Sequence, residues 1–135
     1  MTDLQVRRPA LVVAEPGSVL PRLRARRCSC GHVACPPQTF GCERCGEPKG
    51  AAVGIELETR GVLTALTTIY VHPKLKTPYG VGRVALDSGP VLDVLLDGAA
   101  ELAIGSRVEG RLVPALDASG VEALDLHFAR EEQTP

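Results

Sequence analysis

All five cysteines of this chain lie in one short window, residues 28–45, whose sequence is CSCGHVACPPQTFGCERC. The odd count argues against a complete set of disulfide pairs, and clustered cysteines in a reducing compartment are more often metal ligands. Zinc in structural sites takes four ligands tetrahedrally, and thiolates supply most of them. The window therefore predicts a closed, structural zinc site rather than a redox pair or a catalytic metal.

The N-terminal segment favours the reducing compartment that this interpretation requires. The apolar run at residues 10–14 is interrupted by Glu15 and Pro16. It is too short to span a membrane, and it lacks the apolar core and the cleavage site of a secretory signal. We therefore expect a cytoplasmic protein with no membrane association.

The spacing of the cysteines leaves three ligand sets open. Cys42 and Cys45 are separated by two residues and followed by Gly46, which is typical of a zinc knuckle. Cys28 and Cys30 are separated by one residue only, so the other half is irregular. We favour the set Cys28, Cys30, Cys42 and Cys45. The alternatives are Cys30, Cys35, Cys42 and Cys45, or a mixed set that includes His32.

The sequence pattern changes after the cysteine window. We interpret residues 1–17 as a loosely ordered arm, in which Arg7 and Arg8 could contact acidic groups. Residues 18–50 form the predicted zinc module, and residues 132–135 are expected to be a frayed tail. In the strand that enters the window, Arg22, Arg24 and Arg26 alternate with Leu23 and Ala25. Residues 51–131 contain short apolar strands separated by turn signals.

These later segments have the number and order of strands of a small barrel. A long strand with Gly61 in its middle, where a bulge or bend is expected, is followed by a hairpin around the DSG turn at residues 87–89, a short crossing and a final hairpin. Five strands in this order predict an OB-type barrel. The fold class is therefore mainly β, with an N-terminal zinc ribbon and a five-stranded OB-fold.

These motifs together resemble a known family. The cysteine window, followed by GVLTALTTIYVHP, TPYGVGRVALDSG and LAIGSRVEG, is similar to small proteins that join a rubredoxin-like zinc ribbon to an OB-fold and were long catalogued as a domain of unknown function. The resemblance covers about residues 20–130. This chain departs from the family pattern in its shortened first cysteine pair and in having Cys35 before Pro36.

The resemblance implies a non-catalytic role beside an enzyme. Members of the family accompany thiolase-fold enzymes and acyltransferases that act on acyl-CoA, as the small subunit of benzoylsuccinyl-CoA thiolase does. The resemblance thus implies a heteromeric, zinc-containing accessory subunit that docks on a thiolase-fold catalytic subunit and helps to shape the CoA entrance. No catalytic residue is expected in this chain.

One loop offers the chemistry for contact with CoA or with the partner subunit. It lies between the first two barrel strands, where OB-folds often bind ligands, and it combines cationic donors with aromatic rings. Its candidate contact residues are Tyr70, His72, Lys74, Lys76 and Tyr79. The alternative is that both tyrosines pack against the barrel and both lysines are solvated.

Two other functions remain open from the residues alone. A nucleic-acid-binding OB module is disfavoured by the net charge of −1 and by an aromatic content of 3%, because such modules need basic grooves and stacking rings. The second alternative is a purely structural subunit that never contacts CoA.

Overall fold

The computed structural model describes residues 6–14, 20–37, 41–48, 52–73, 77–116 and 119–131. Within these ranges the regular secondary structure is β, apart from a single turn of 3-10 helix at Ala99–Glu101. The strands are β1 (Val12–Val13), β2 (Arg22–Cys28), β3 (Val33–Ala34), β4 (Ala52–Glu58), β5 (Arg60–Ile69), β6 (Tyr79–Leu86), β7 (Val91–Leu96), β8 (Arg107–Leu116) and β9 (Glu122–Arg130).

The first sheet is built around β2. Its alternating sequence buries Leu23 and Ala25 and exposes Arg22 and Arg24, as the period of two predicts. β2 pairs antiparallel with β1, β3 and β4, and the pairing with β4 extends over the whole of β2. This sheet carries the cysteine window, because β2 ends at Cys28.

The remaining strands form a closed barrel in the order β5-β6-β7-β9-β8. All neighbouring pairs are antiparallel except β7 and β9, which are parallel at Leu95 opposite His127 and Leu96 opposite Phe128. The insertion of the last strand between the third and fourth is the OB-fold arrangement. The predicted mainly β fold with a five-stranded barrel is therefore confirmed.

The chain passes from the first sheet to the barrel at Thr59, the one residue between β4 and β5. The bend was expected at Gly61, two residues later. Gly61 instead allows β5 to approach β6 closely, because a Cβ atom at this position would collide with the carbonyl oxygen of Ala85 on β6. A register shift between Leu63 and Ala65 adds a bulge farther along β5. The predicted domain boundary at residue 51 stays a prediction.

One hydrophobic core joins the two sheets. Leu23 and Leu57 from the first sheet belong to the same buried cluster as barrel residues Leu63, Val84 and Phe128. These side chains are 0–4% exposed. Because the core is shared, the two sheets stabilise one another through burial of apolar surface.

The N-terminal arm lies on both sheets where it is described. β1 pairs with β2, and the backbone N–H of Arg7 donates to the carbonyl oxygen of Leu124 on β9 at 2.9 Å. The Arg7 guanidinium lies 3.7 Å from Asp125 Oδ2. Arg7 therefore makes the contact with an acidic group that the sequence left open. In the described part of the chain, no helix is long and apolar enough to cross a membrane.

Candidate metal centre and barrel groove

Four thiols converge at one end of the first sheet. The Sγ atoms of Cys28, Cys30, Cys42 and Cys45 all lie within 4.8 Å of one another. The Sγ atoms of Cys28 and Cys45 are 3.4 Å apart, and those of Cys30 and Cys42 are 3.8 Å apart. The structure thus brings together the set of four that the sequence analysis favoured.

The local backbone explains how both halves of the window reach one point. In the second half, the backbone N–H of Arg44 points at Cys42 Sγ at 3.4 Å, and Gly46 takes a φ of 76°. In the first half, a tight turn closes by a hydrogen bond from Gly31 N–H to the Cys28 carbonyl oxygen, and Gly31 takes a φ of 94°. The left-handed conformation of both glycines permits these turns.

Hydrogen bonds from the backbone stabilise thiolates in this cluster. The backbone N–H of Cys30 is the largest influence that lowers the pKa of Cys28, to about 7. The backbone N–H groups of Cys45 and Arg44 lower the pKa of Cys42. Although the backbone N–H of Glu47 lowers the pKa of Cys45, burial and the neighbouring thiols raise it to about 12. Four thiolates at this distance therefore require a bound cation.

The donor set fits a tetrahedral ion. Four sulfurs at about 2.3 Å from zinc would stand roughly 3.8 Å from one another. Two of the sulfur pairs, at 3.4 and 3.8 Å, are near that separation, and all four sulfurs lie within 4.8 Å of one another. The cluster can therefore hold a metal ion with the chemistry of structural zinc, and its four thiols leave no open position for a substrate.

The two alternative ligands lie outside the cluster. Cys35 packs against the hydrophobic core, and its Sγ donates to the Arg24 carbonyl oxygen at 3.5 Å. Burial raises the pKa of this thiol to about 11, so it is a poor thiolate donor. His32 Nε2 instead lies 2.8 Å from Glu43 Oε1.

The candidate contact residues are only partly brought together. His72 and Tyr79 pack edge to face, with ring centroids 6.3 Å apart, and both line one groove on the barrel. Tyr70 is 74% exposed and does not line this groove. Lys74 and Lys76 lie outside the described residues.

The groove has a volume of about 810 Å³ and is lined by residues from all five barrel strands, including Thr68 of β5 and Leu116 at the end of β8. Apolar side chains from the end of β7 and from the 3-10 helix form much of its lining, including Leu95, Leu96, Ala99 and Ala100. Its charged and polar lining includes Arg7, Asp97, Asp125 and His127, in addition to His72 and Tyr79. A groove of this size with a few convergent polar groups is typical of a binding site.

One polar contact in this groove, between Asp97 and His127, was not predicted from the sequence. His127 Nδ1 lies 2.8 Å from Asp97 Oδ1, and the His127 side chain is 17% exposed. The parallel pairing of β7 with β9 brings these residues together although they are 30 positions apart. One local signal was available, because Asp125 and His127 alternate onto one face of β9.

Comparisons with known proteins agree with this architecture. Residues 54–113 match a family described as the C-terminal OB-fold domain of ChsH2. A solved structure, the Ltp2-ChsH2(DUF35) aldolase, has a TM-score of 0.63 and 24% sequence identity, over 81% of this chain and 84% of that chain. No curated protein matches the chain. Residues 54–113 are therefore similar to the OB-fold family inferred from the sequence, and the thiol cluster stands where the ribbon was expected.

Proposed function

We propose that this protein is a zinc-containing, non-catalytic accessory subunit of a thiolase-type enzyme that forms or cleaves a carbon–carbon bond in an acyl-CoA thioester. The observation that carries the proposal is the match of residues 54–113 to the OB-fold domain of ChsH2. In the similar solved structure, a ChsH2 DUF35 chain is named together with a second protein, Ltp2, as an aldolase. By analogy, this chain would assemble with a separate catalytic subunit.

The exposed apolar side chains support a docking role. Tyr70 is 74% exposed, Val71 is 87% exposed and Leu116 is 64% exposed. Val71 directly precedes His72, and Leu116 itself lines the groove. Large apolar side chains that stay exposed near a groove are typical of a protein interface.

The site chemistry favours an accessory role over an independent enzyme. The four clustered thiols would be occupied by zinc, and Cys35 is packed against the core. Among the described residues that line the groove there is no cysteine or serine to act as a nucleophile. The acidic side chains in the groove also disfavour the nucleic-acid alternative, since phosphates would meet Asp97 and Asp125.

The proposal is tested on the complex purified from its own host. The two subunits are separated, and each is assayed with acyl-CoA thioesters alone and after recombination. We expect no turnover by the small subunit alone and a higher kcat/KM for the recombined complex than for the large subunit. Turnover by the small subunit alone would contradict the accessory role.

Contact with CoA is tested separately at the loop that follows Tyr70. Substituting Lys74→Glu and Lys76→Glu places negative charge where CoA phosphates would bind. If the loop contacts CoA, KM for the thioester rises while the complex stays assembled. If the loop contacts the partner subunit instead, the complex dissociates. An unchanged KM with an intact complex would favour the purely structural subunit.

A further inference from the structure

The groove on the barrel combines an apolar lining with hydrogen-bond acceptors at one place. Leu95 and Leu96 at the end of β7, together with Ala99 and Ala100 of the 3-10 helix, provide the apolar part. Directly between these segments, Asp97 projects its carboxylate against His127. Asp97 keeps 43% of its side chain exposed, so the side chain remains partly accessible to a ligand.

The hydrogen-bonding state of His127 follows from its neighbours. An ionised carboxylate only accepts hydrogen bonds, so Nδ1 carries a proton and donates to Asp97 Oδ1 over 2.8 Å. His127 Nε2 is 3.9 Å from Asp125 Oδ2, which is too long for a hydrogen bond. In the neutral imidazole, Nε2 therefore carries no proton and can accept a hydrogen bond from a ligand.

The charges in the groove favour a cationic ligand. The carboxylate of Asp125 is accompanied by Arg7, which lies 3.7 Å from it and also donates to the Ala115 carbonyl oxygen at 2.5 Å. Asp97 has no such arginine or lysine in the described part of the chain, where its hydrogen-bond partner is His127. An anionic group would meet the carboxylate of Asp97, so this part of the groove does not suit the phosphates of CoA.

We propose that this groove receives one basic side chain, arginine or lysine, from the catalytic partner subunit. The aliphatic stem would lie against Leu96 and Ala99, and the cationic head would donate to Asp97 and to Nε2 of His127. Both residues carry a long apolar stem that ends in a strong donor, which matches this lining. The inference rests on the proposed accessory function, because it names how the partner is recognised.

The chemistry of the groove is tested on this protein alone, by titration followed in amide and imidazole NMR spectra. The probes are n-butylguanidinium as a stand-in for an arginine side chain and butyrate as its anionic counterpart. We expect n-butylguanidinium to shift the resonances of His127 and of residues 95–100, and butyrate to leave them in place. Stronger shifts with butyrate, or no shift with either probe, would overturn the proposal.

Substitutions assign the effect to the groove. Asp97→Asn keeps the size of the side chain and removes its charge, and we expect it to weaken binding of n-butylguanidinium about tenfold. Asp93→Asn is the matched control, because Asp93 pairs with Arg83 on the barrel surface and does not line the groove. The dispersion of the NMR spectrum verifies that both variants are folded.

The docking claim is then tested in the purified complex. We expect Asp97→Asn to weaken assembly about tenfold while Asp93→Asn leaves it unchanged. An Asp97→Asn complex as stable as the wild type would overturn this docking claim and leave the accessory function standing. If no complex exists even with the unsubstituted chain, the accessory function itself fails, and the titration result does not rescue it.

Discussion

The hydroxyl of Thr59 donates a 2.8 Å hydrogen bond to the carbonyl oxygen of Pro21, at the point where the chain passes from the first sheet into the barrel. Thr59 is 0% exposed, and Pro21 is also buried. The backbone of Thr59 is held as well, since its carbonyl oxygen accepts a 2.7 Å hydrogen bond from the N–H of Gly110 on β8. This residue therefore ties together the start of β2, the end of β4 and the barrel.

We expect Thr59→Val to destabilise the fold. Valine has nearly the shape of threonine, but it leaves the buried carbonyl oxygen of Pro21 without its donor. The expected loss in the free energy of unfolding is about 1–3 kcal/mol, measured by urea denaturation. Thr64→Val is the control, because the hydroxyl of Thr64 is exposed although it also bonds a carbonyl oxygen. Equal effects of the two substitutions would show that Thr59 does not join the sheets.

Two strand glycines, Gly61 in the barrel and Gly54 in the first sheet, provide a test of close packing between strands. Gly61→Ala places a Cβ against the backbone carbonyl of Ala85, so we expect a loss of about 1–3 kcal/mol or more in the free energy of unfolding. Gly54→Ala meets no atom within 4 Å. It should therefore be neutral or slightly stabilising, because alanine restricts the unfolded chain. A tolerated Gly61→Ala would contradict the described approach of β5 to β6.

The thiol cluster predicts that substitutions at Cys42 and Cys35 differ in their effect on zinc binding. Cys42→Ser should abolish stoichiometric zinc binding, measured by atomic absorption after gel filtration. Cys35→Ser should keep the zinc and lose little stability, because Cys35 lies outside the cluster and donates to a backbone carbonyl oxygen. Loss of zinc in Cys35→Ser with retention in Cys42→Ser would show that the ligand set is different.

Removal of the metal should loosen the ribbon before the barrel. A closed structural site contributes its binding energy to folding, so a chelator should increase amide hydrogen exchange around residues 28–45. The exchange of β6 and β8, which lie in the barrel, should change less. If amide exchange around residues 28–45 is the same with and without the metal, the ion does not stabilise this module.

A surface ion pair predicts a modest dependence of stability on pH. The Arg107 guanidinium donates to both oxygens of Asp87 at 2.7 Å, and this hydrogen bonding is the main influence that lowers the pKa of Asp87. A carboxyl group whose pKa is lowered by folding contributes stability at pH values above its unfolded pKa, and this contribution is lost as the pH falls through the folded pKa.

We therefore expect Asp87→Asn to lower the free energy of unfolding by about 0.5–1 kcal/mol at neutral pH and to have almost no effect in strong acid. The expected cost is small because both side chains are about half exposed and solvent screens the pair. A double-mutant cycle with Arg107→Gln, measured by urea denaturation at several pH values, isolates the interaction. A coupling energy that does not fall with acidification would contradict this account.

Much of the fold could be predicted because its signals are local. The alternation of arginine with Leu23 and Ala25 predicts the buried face of β2, and the DSG turn predicts the hairpin of β6 and β7. The cysteine spacing predicts the cluster for the same reason, since knuckles close over a few residues. The position of the bend was missed because β-branched Thr59 carries no local sign of a break, whereas Gly61 does.

The groove could not be predicted with the same ease. Its central contact joins Asp97 and His127, and only the parallel pairing of β7 with β9 places them side by side. A sequence pattern shows that Asp125 and His127 share a face of one strand, but it does not show which other strand lies beside them. The packing of the N-terminal Arg7 against this face is likewise a contact between distant parts of the chain.

The central claim is that this protein is a zinc-containing accessory subunit of an acyl-CoA enzyme. Native mass spectrometry of the tagged protein purified from its own host tests it most directly, because one spectrum records the bound metal and the associated chains. We predict a complex with a thiolase-sized subunit and one zinc ion for each copy of this chain. A lone chain that retains nucleic acid instead would contradict the account and favour the nucleic-acid-binding OB module.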